Sequence, residues 1–131
     1  MEILFDIPIQ FKETIQVCAK EYTVNSIAFG GDTETAYFKG KVLPGGIDIQ
    51  IIGQDGNGTL SARYILEEKD AAGKDCRVFV LNEGLIEKDG SLKTHPKILT
   101  DSEELSRFQE QELKCMFENR DDQFHVIIYA E

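Results

Sequence analysis

Apolar residues in this chain return at every second position, in runs short enough to suit strands better than helices. Ile3, Phe5, Ile7, Ile9 and Phe11 alternate with Glu2, Leu4, Asp6, Pro8 and Gln10, the pattern of a strand with one buried face. Pro8 has no backbone donor, so this strand is expected at a sheet edge or at a bulge. Similar runs follow at 22–29, 35–43, 47–53, 59–67, 76–82, 85–88, 91–99, 113–118 and 124–130. Clusters of Gly, Asn and Asp punctuate them. Among these, Asp89-Gly90 predicts a type I′ hairpin turn, whose two central residues both need positive φ. Ten short strands at this spacing predict an all-β fold, an antiparallel barrel or sandwich. One helix signal interrupts them. Thr100 or Asp101 is placed to cap a short helix near 102–110, with Glu103 or Glu104 three residues on and Leu105 and Phe108 on one face. Beyond it, Leu113, Cys115 and Phe117 alternate with Lys114, Met116 and Glu118, which favours a strand.

At 131 residues the chain is expected to form one domain, 1–131, with a core large enough to need no disulfide or metal. Its 14 basic and 24 acidic residues leave a net charge of -10. Such a surface repels phosphate backbones and anionic lipid, so nucleic acid and membranes are not expected partners. Cys18, Cys76 and Cys115 are odd in number and lack CxxC spacing, so they read as small buried thiols and predict neither a disulfide framework nor a zinc site. The acidic start, Met1-Glu2-Ile3-Leu4-Phe5-Asp6, is unlike a signal peptide, and no run reaches the length of a membrane helix. The expected compartment is the cytoplasm.

The stretch Gly40-Lys41-Val42-Leu43-Pro44-Gly45-Gly46, followed by Asp48 and then by Ala62-Arg63-Tyr64, resembles the signature of domain-of-unknown-function family 3237. In that family a strand ends at Gly-x-Val-x-Pro-Gly-Gly, an Asp follows, and the next strand carries Ala-Arg-Tyr. The resemblance is firmest between Gly40 and Gly84 and weaker in the hairpin ending at Tyr129. It implies a closed antiparallel barrel of about ten strands, similar to the lipocalin or calycin class, with one short helix. It names no reaction. The chain departs from the pattern at 69–75, where many relatives have a tight Asp-Gly turn. It departs again at Asn82-Glu83-Gly84, where relatives often carry Asn-Arg-Gly.

Asp48 and Arg63 are the first candidate ligand-binding residues. Each is a charge in a β-type run and shares its face with apolar neighbours, Ile52 for Asp48 and Ile65 for Arg63. Such a charge is costly unless it is paired or lines a wet cavity. Two readings stay open: a structural salt bridge, and a polar floor binding a carboxylate, carbonyl or hydroxyl. Arg77, alternating with Phe79, Leu81 and Glu83, either extends an internal polar network or lies outside along apolar surface. Glu83 and His125 complete the candidate set, His125 because it alternates with Ile127 and Tyr129. His95 precedes Pro96 and is expected near a loop. Tyr64 faces away from Arg63, with Ala62 and Leu66, and reads as a packed aromatic with its hydroxyl tied to a neighbour. Gly53-x-x-Gly56-x-Gly58 sits between strands and opens no helix, so it reads as a hairpin connection and not a phosphate loop. Gly45-Gly46 is read as a sharp turn where side chains would clash.

These residues support three classes of function. The leading one is a small-molecule barrel binding a modest organic ligand near Asp48 and Arg63. The second is a cofactor-free isomerase or lyase, with Asp48, Glu83 or a histidine as base and Arg63 holding a developing oxyanion. No cofactor or metal is called for, and the catalytic residues are left unassigned. The third is a homo-oligomeric interaction protein. Strands such as 47–52 and 78–81 are apolar on both faces, so the short helix or a second subunit, most simply in a homodimer, is expected to cover the outer side.

Overall fold

A computed structural model describes the whole chain, Met1–Glu131. Eleven strands carry nearly all of its regular structure: β1 (Glu2–Pro8), β2 (Gln10–Cys18), β3 (Tyr22–Gly30), β4 (Asp32–Glu34), β5 (Phe38–Val42), β6 (Ile47–Gly53), β7 (Gly58–Asp70), β8 (Asp75–Ile86), β9 (Leu92–Thr100), β10 (Lys114–Arg120) and β11 (Gln123–Ala130). All pairings are antiparallel. The run at 76–82 and the first half of the run at 85–88 belong to one strand, β8. In β2 every residue is exposed, which leaves no buried stripe to mark it as a separate strand.

The strands form two sheets. In the eight-stranded sheet the path runs β2-β3-β6-β7-β5-β4, with β8 on the other edge of β7 and β9 beyond it. β7 is long enough to pair with β6 through its first half and with β5 through its second. The other sheet has the order β1-β11-β10. Three consecutive bends place the sheets against each other. The first is at Ile9, whose N–H donates to Phe124 O (2.8 Å). The second is at Gly31, where a Cβ would stand 2.7 Å from Pro8 O. The third lies between β5 and β6, where Phe29 N–H donates to Gly46 O (3.1 Å).

The expected closed barrel is met only in part. The larger sheet is a half-barrel, and the β1-β11-β10 sheet faces it without a ladder joining the two. Along β1 and β4, side chains stand where ladder bonds would be: Asp6 N–H donates to Thr33 Oγ1 (3.1 Å), and Thr35 Oγ1 donates to Leu4 O (2.7 Å).

The half of the interior bounded by β1, β5 and the far end of β7 is packed solid. Phe5, Phe38, Leu66, Val78, Leu105 and Phe108 are all at most 1% exposed there. Leu105 and Phe108 come from the segment expected to be helical, which is a single 3-10 turn, Ser106–Glu110. Thr100 and Asp101 do not cap it. No side chain caps the turn; Ser102 holds the segment leading into it, its Oγ accepting Leu105 N–H (3.2 Å) and donating to Asp70 Oδ2 (2.7 Å). The turn plugs the interior and leaves the outer row of Ile65, Phe79 and Leu99 uncovered, all exposed.

The hairpin turns differ from expectation as well. Asp89 is not in the left-handed region; only Gly90 is, at φ 90°. With Gly90 N–H donating to Glu87 O and Glu87 N–H to Ser91 O, this is a three-residue loop ending in a glycine bulge. The consecutive positive-φ pair is Asp121 (52°) and Asp122 (63°) between β10 and β11, a position aspartate tolerates better than most residues.

Candidate functional site

The unfilled half of the interior lies between the two sheets and holds a cavity of about 410 Å³, the size class of small-molecule sites. Its walls come from alternate residues that the pleat turns inward: Ile27 and Phe29 on β3, Asp48 and Gln50 on β6, Leu60, Ala62 and Tyr64 on β7, Asn82 on β8, with Phe117, Phe124 and Val126 on the opposing sheet. Phe11, 60% exposed, stands at the mouth. There Phe117 and Phe124 stack at 5.8 Å between ring centroids, and Phe11 packs on Phe124 at 6.2 Å. Deeper in, Phe29 meets Tyr64 edge-on at 5.2 Å.

Register sets the polar part. Asp48 pairs with Ala62, and Ala62 pairs with Asn82, so the three lie in one row on the inner face. Alanine in the middle leaves the space above the row open. Gly46 brings β6 in close: a Cβ there would stand 2.9 Å from Val42 Cγ1, 3.0 Å from Phe29 O and 3.4 Å from Tyr64 Cβ. Gly46 of the Pro-Gly-Gly signature thus packs behind Phe29 and Tyr64, two residues of the cavity wall, which is how the sequence motif bears on the site.

Three polar atoms on this wall are buried and have no hydrogen-bond partner: Asp48 Oδ1, Tyr64 Oη and Asn82 Oδ1. The other Asp48 oxygen, Oδ2, accepts from Gln50 Nε2 (3.1 Å), and Asn82 Nδ2 donates to Cys115 Sγ (3.4 Å). Burial raises the Asp48 carboxyl above the ordinary aspartate range, and the Gln50 hydrogen bond offsets this only in part. Burial also pushes the Tyr64 phenol far up and raises the Cys115 thiol. Unmet polar groups in an apolar cavity are costly for folding, and a ligand that satisfied them would recover that cost.

Of the five candidates named from sequence, only Asp48 borders this cavity. Arg63 pairs with Ile47 and is exposed on the outer face, so neither a bridge to Asp48 nor an internal polar floor shared with it exists. Arg77 is also outside, its Nε donating to Glu67 Oε2 (2.6 Å), in line with the exterior reading. Glu83 is exposed and accepts from Ser61 Oγ (3.1 Å). His125 is half-buried, with Nδ1 2.7 Å from Asp6 Oδ1. That pair lies in a separate depression lined also by Asp32, Glu34, Lys39 and Glu68, with none of the large apolar side chains that wall the cavity.

Tyr64 and Asn82 carry the site where Arg63 and Glu83 were expected. Tyr64 is packed as anticipated, but its hydroxyl has no partner. The inward signal was the run Leu60, Ala62, Tyr64, Leu66, more apolar than the Ser61, Arg63, Ile65 side. Cys18 is another correction, since it is exposed at the end of β2 and only Cys76 is fully buried. No three His, Cys, Asp or Glu side chains converge as a metal-ligating group, and no helix is long and apolar enough to cross a membrane.

Residues 1–118 match the family described as "Protein of unknown function (DUF3237)", and the chain belongs to that family. A UPF0311 protein of Clostridium acetobutylicum is 48% identical over 48 residues, a match spanning 37% of this chain and 28% of that protein. A crystal structure of a protein of unknown function, also from Clostridium acetobutylicum, superposes with a TM-score of 0.82 at 25% identity, covering 99% of this chain and 96% of that one. An enzyme from Penicillium herquei superposes with a TM-score of 0.76 at 16% identity, over 99% and 92% of the two chains. A β-barrel-like protein of Acinetobacter baumannii does so at 0.70 and 17%, over 98% and 93%. The last two likenesses are of fold.

Proposed function

We propose that this member of the family binds a small, largely apolar organic molecule in the cavity between its two sheets, with the polar end of the ligand at Asp48, Tyr64 and Asn82. One observation carries the reading: three buried polar atoms without partners belong to side chains that line a mostly apolar cavity. Native interiors rarely leave such atoms unmet. The two sheets act here as opposite walls of one barrel-like pocket.

The test is a thermal-shift screen of small aromatic and alicyclic compounds on the wild-type protein and on Ala62→Leu, which fills the middle of the polar row. A compound that stabilises the wild type and not the variant supports the reading. A screen without stabilisers, or stabilisers that ignore Ala62→Leu, overturns it.

A proton-transfer enzyme is the second reading, favoured by the raised pKa of Asp48. A carboxylate tuned upward is a better base near neutrality, and the neutral Tyr64 hydroxyl is a donor for a developing oxyanion. The likeness to an enzyme of Penicillium herquei is compatible with it. Arg63 has no part in this version. Turnover lost in Asp48→Asn while binding persists would select it over simple binding.

Assembly is a separate proposal. Ile65, Phe79 and Leu99 form one row across three strands by register and are exposed, so a second copy of the chain is the simplest cover.

A further inference from the structure

Resting on the binding reading above, we infer that the cavity's ligand is a small aryl- or alkyl-substituted amine, entering as its ammonium cation with the charged nitrogen at Asp48. The cavity wall contains one carboxylate and no Lys, Arg or His. An anionic ligand would therefore meet Asp48 with nothing to neutralise either charge, which removes the carboxylate ligands that the sequence left open. The unmet groups also ask for donors. Asp48 Oδ1 can only accept when ionised, and Asn82 has committed its Nδ2 to Cys115 Sγ, leaving Oδ1 as an acceptor. An ammonium supplies three donors and no acceptor, so its chemistry matches acceptors of this kind without setting a lone pair against a lone pair.

The remaining wall suits the same chemistry. Phe11, Phe29, Tyr64, Phe117 and Phe124 offer aromatic rings around the space, and ring faces attract organic cations. Their apolar bulk matches a ligand whose other end is hydrocarbon. At longer range, the net charge of -10 raises the local concentration of cations and lowers that of anions. A neutral alcohol would satisfy one acceptor but leave the Asp48 charge unpaired, and so is the weaker partner.

The experiment compares matched ligands that differ only at the polar end: 2-phenylethylamine, 2-phenylethanol and phenylacetate, together with their longer-chain and cyclohexyl counterparts. Thermal shift and calorimetry are run on the wild type, Asp48→Asn and Ala62→Leu. The expected result is amine affinity about tenfold or more above the matched alcohol, with no response to the carboxylate. Asp48→Asn should lose the amine preference while keeping the alcohol response, and Ala62→Leu should lose both. Alcohols or carboxylates that equal the amines on the wild type, or an amine preference that survives Asp48→Asn, would overturn the inference. If the alcohols bind and Ala62→Leu abolishes that binding, the cavity remains a binding site and only the ligand class is wrong. If no series binds, both readings fall.

Discussion

Asp48 and Tyr64 hold their polar atoms in surroundings that disfavour them, and that cost is measurable without any ligand. The Asp48 pKa is raised by burial. Its contribution to stability is therefore full below the ordinary aspartate pKa, about 4, and is lost as pH rises through the higher native value. Asp48→Asn keeps the shape and removes the charge. The variant is expected to match the wild type near pH 4 and to exceed it by about 1 kcal/mol at neutral pH. Urea denaturation at the two pH values checks this, and a difference that does not change with pH would refute it. Tyr64→Phe removes a buried hydroxyl that has no partner, so stability should change by less than about 1 kcal/mol. A larger loss would mean that the hydroxyl is bonded. Asp48 was recognisable from sequence because an acid in an isoleucine-rich run invites explanation. Asn82 and Tyr64 were not, since their importance lies in bonds they fail to make.

The elements owe as much to single polar anchors as to hydrophobic period. Asp70 ends β7 and receives three hydrogen bonds: Ala72 N–H (2.9 Å) and Lys74 N–H (3.1 Å) to Oδ1, and Ser102 Oγ (2.7 Å) to Oδ2. These bonds, with Ser102 first among them, hold its pKa below the ordinary value. They fold the turn between β7 and β8 and tie the segment before the 3-10 turn to it. Asp70→Ala should cost about 2 kcal/mol at neutral pH, by chemical denaturation. Because the native pKa is depressed, this contribution is full above about pH 4 and fades as pH falls through the native value, so the gap between wild type and variant should narrow in acid. Phe108, at 1% exposure and edge-on to Tyr37 at 5.6 Å, anchors the 3-10 turn in the core. Phe108→Ala should cost about 3–5 kcal/mol, and a loss near zero would show that the plug is dispensable. Most strand positions were readable from their period-two runs, but β2 was not, because it is exposed at every position. The turn types were not, because the sequence Asp89-Gly90 suits both a two-residue loop and a bulged three-residue loop, and the flanking ladder chooses between them.

For the whole molecule, the outer row of Ile65, Phe79 and Leu99 carries the assembly prediction. Light scattering at micromolar concentration should give about twice the 14.8 kDa chain mass, and Phe79→Lys should return the chain to a monomer, since a buried unpaired charge opposes association. A wild-type monomer would show that the row is tolerated in water. The sequence by itself determined that the chain is all-β, antiparallel and a member of its family, because strand period, turn residues and the Gly-x-Val-x-Pro-Gly-Gly signature are local properties of the chain. It also singled out Asp48. Tertiary structure decided the rest. A strand's two faces exchange with a one-residue change of register, so only the Ile47–Arg63 and Asp48–Ala62 pairings could send Arg63 outside and Asp48 inside. Likewise, whether β1 meets β4 through a backbone ladder or through Thr33 and Thr35 depends on where three bends bring distant strands together. No run of neighbouring residues encodes that distance, and with it goes the difference between a closed barrel and two sheets with an open cavity between them.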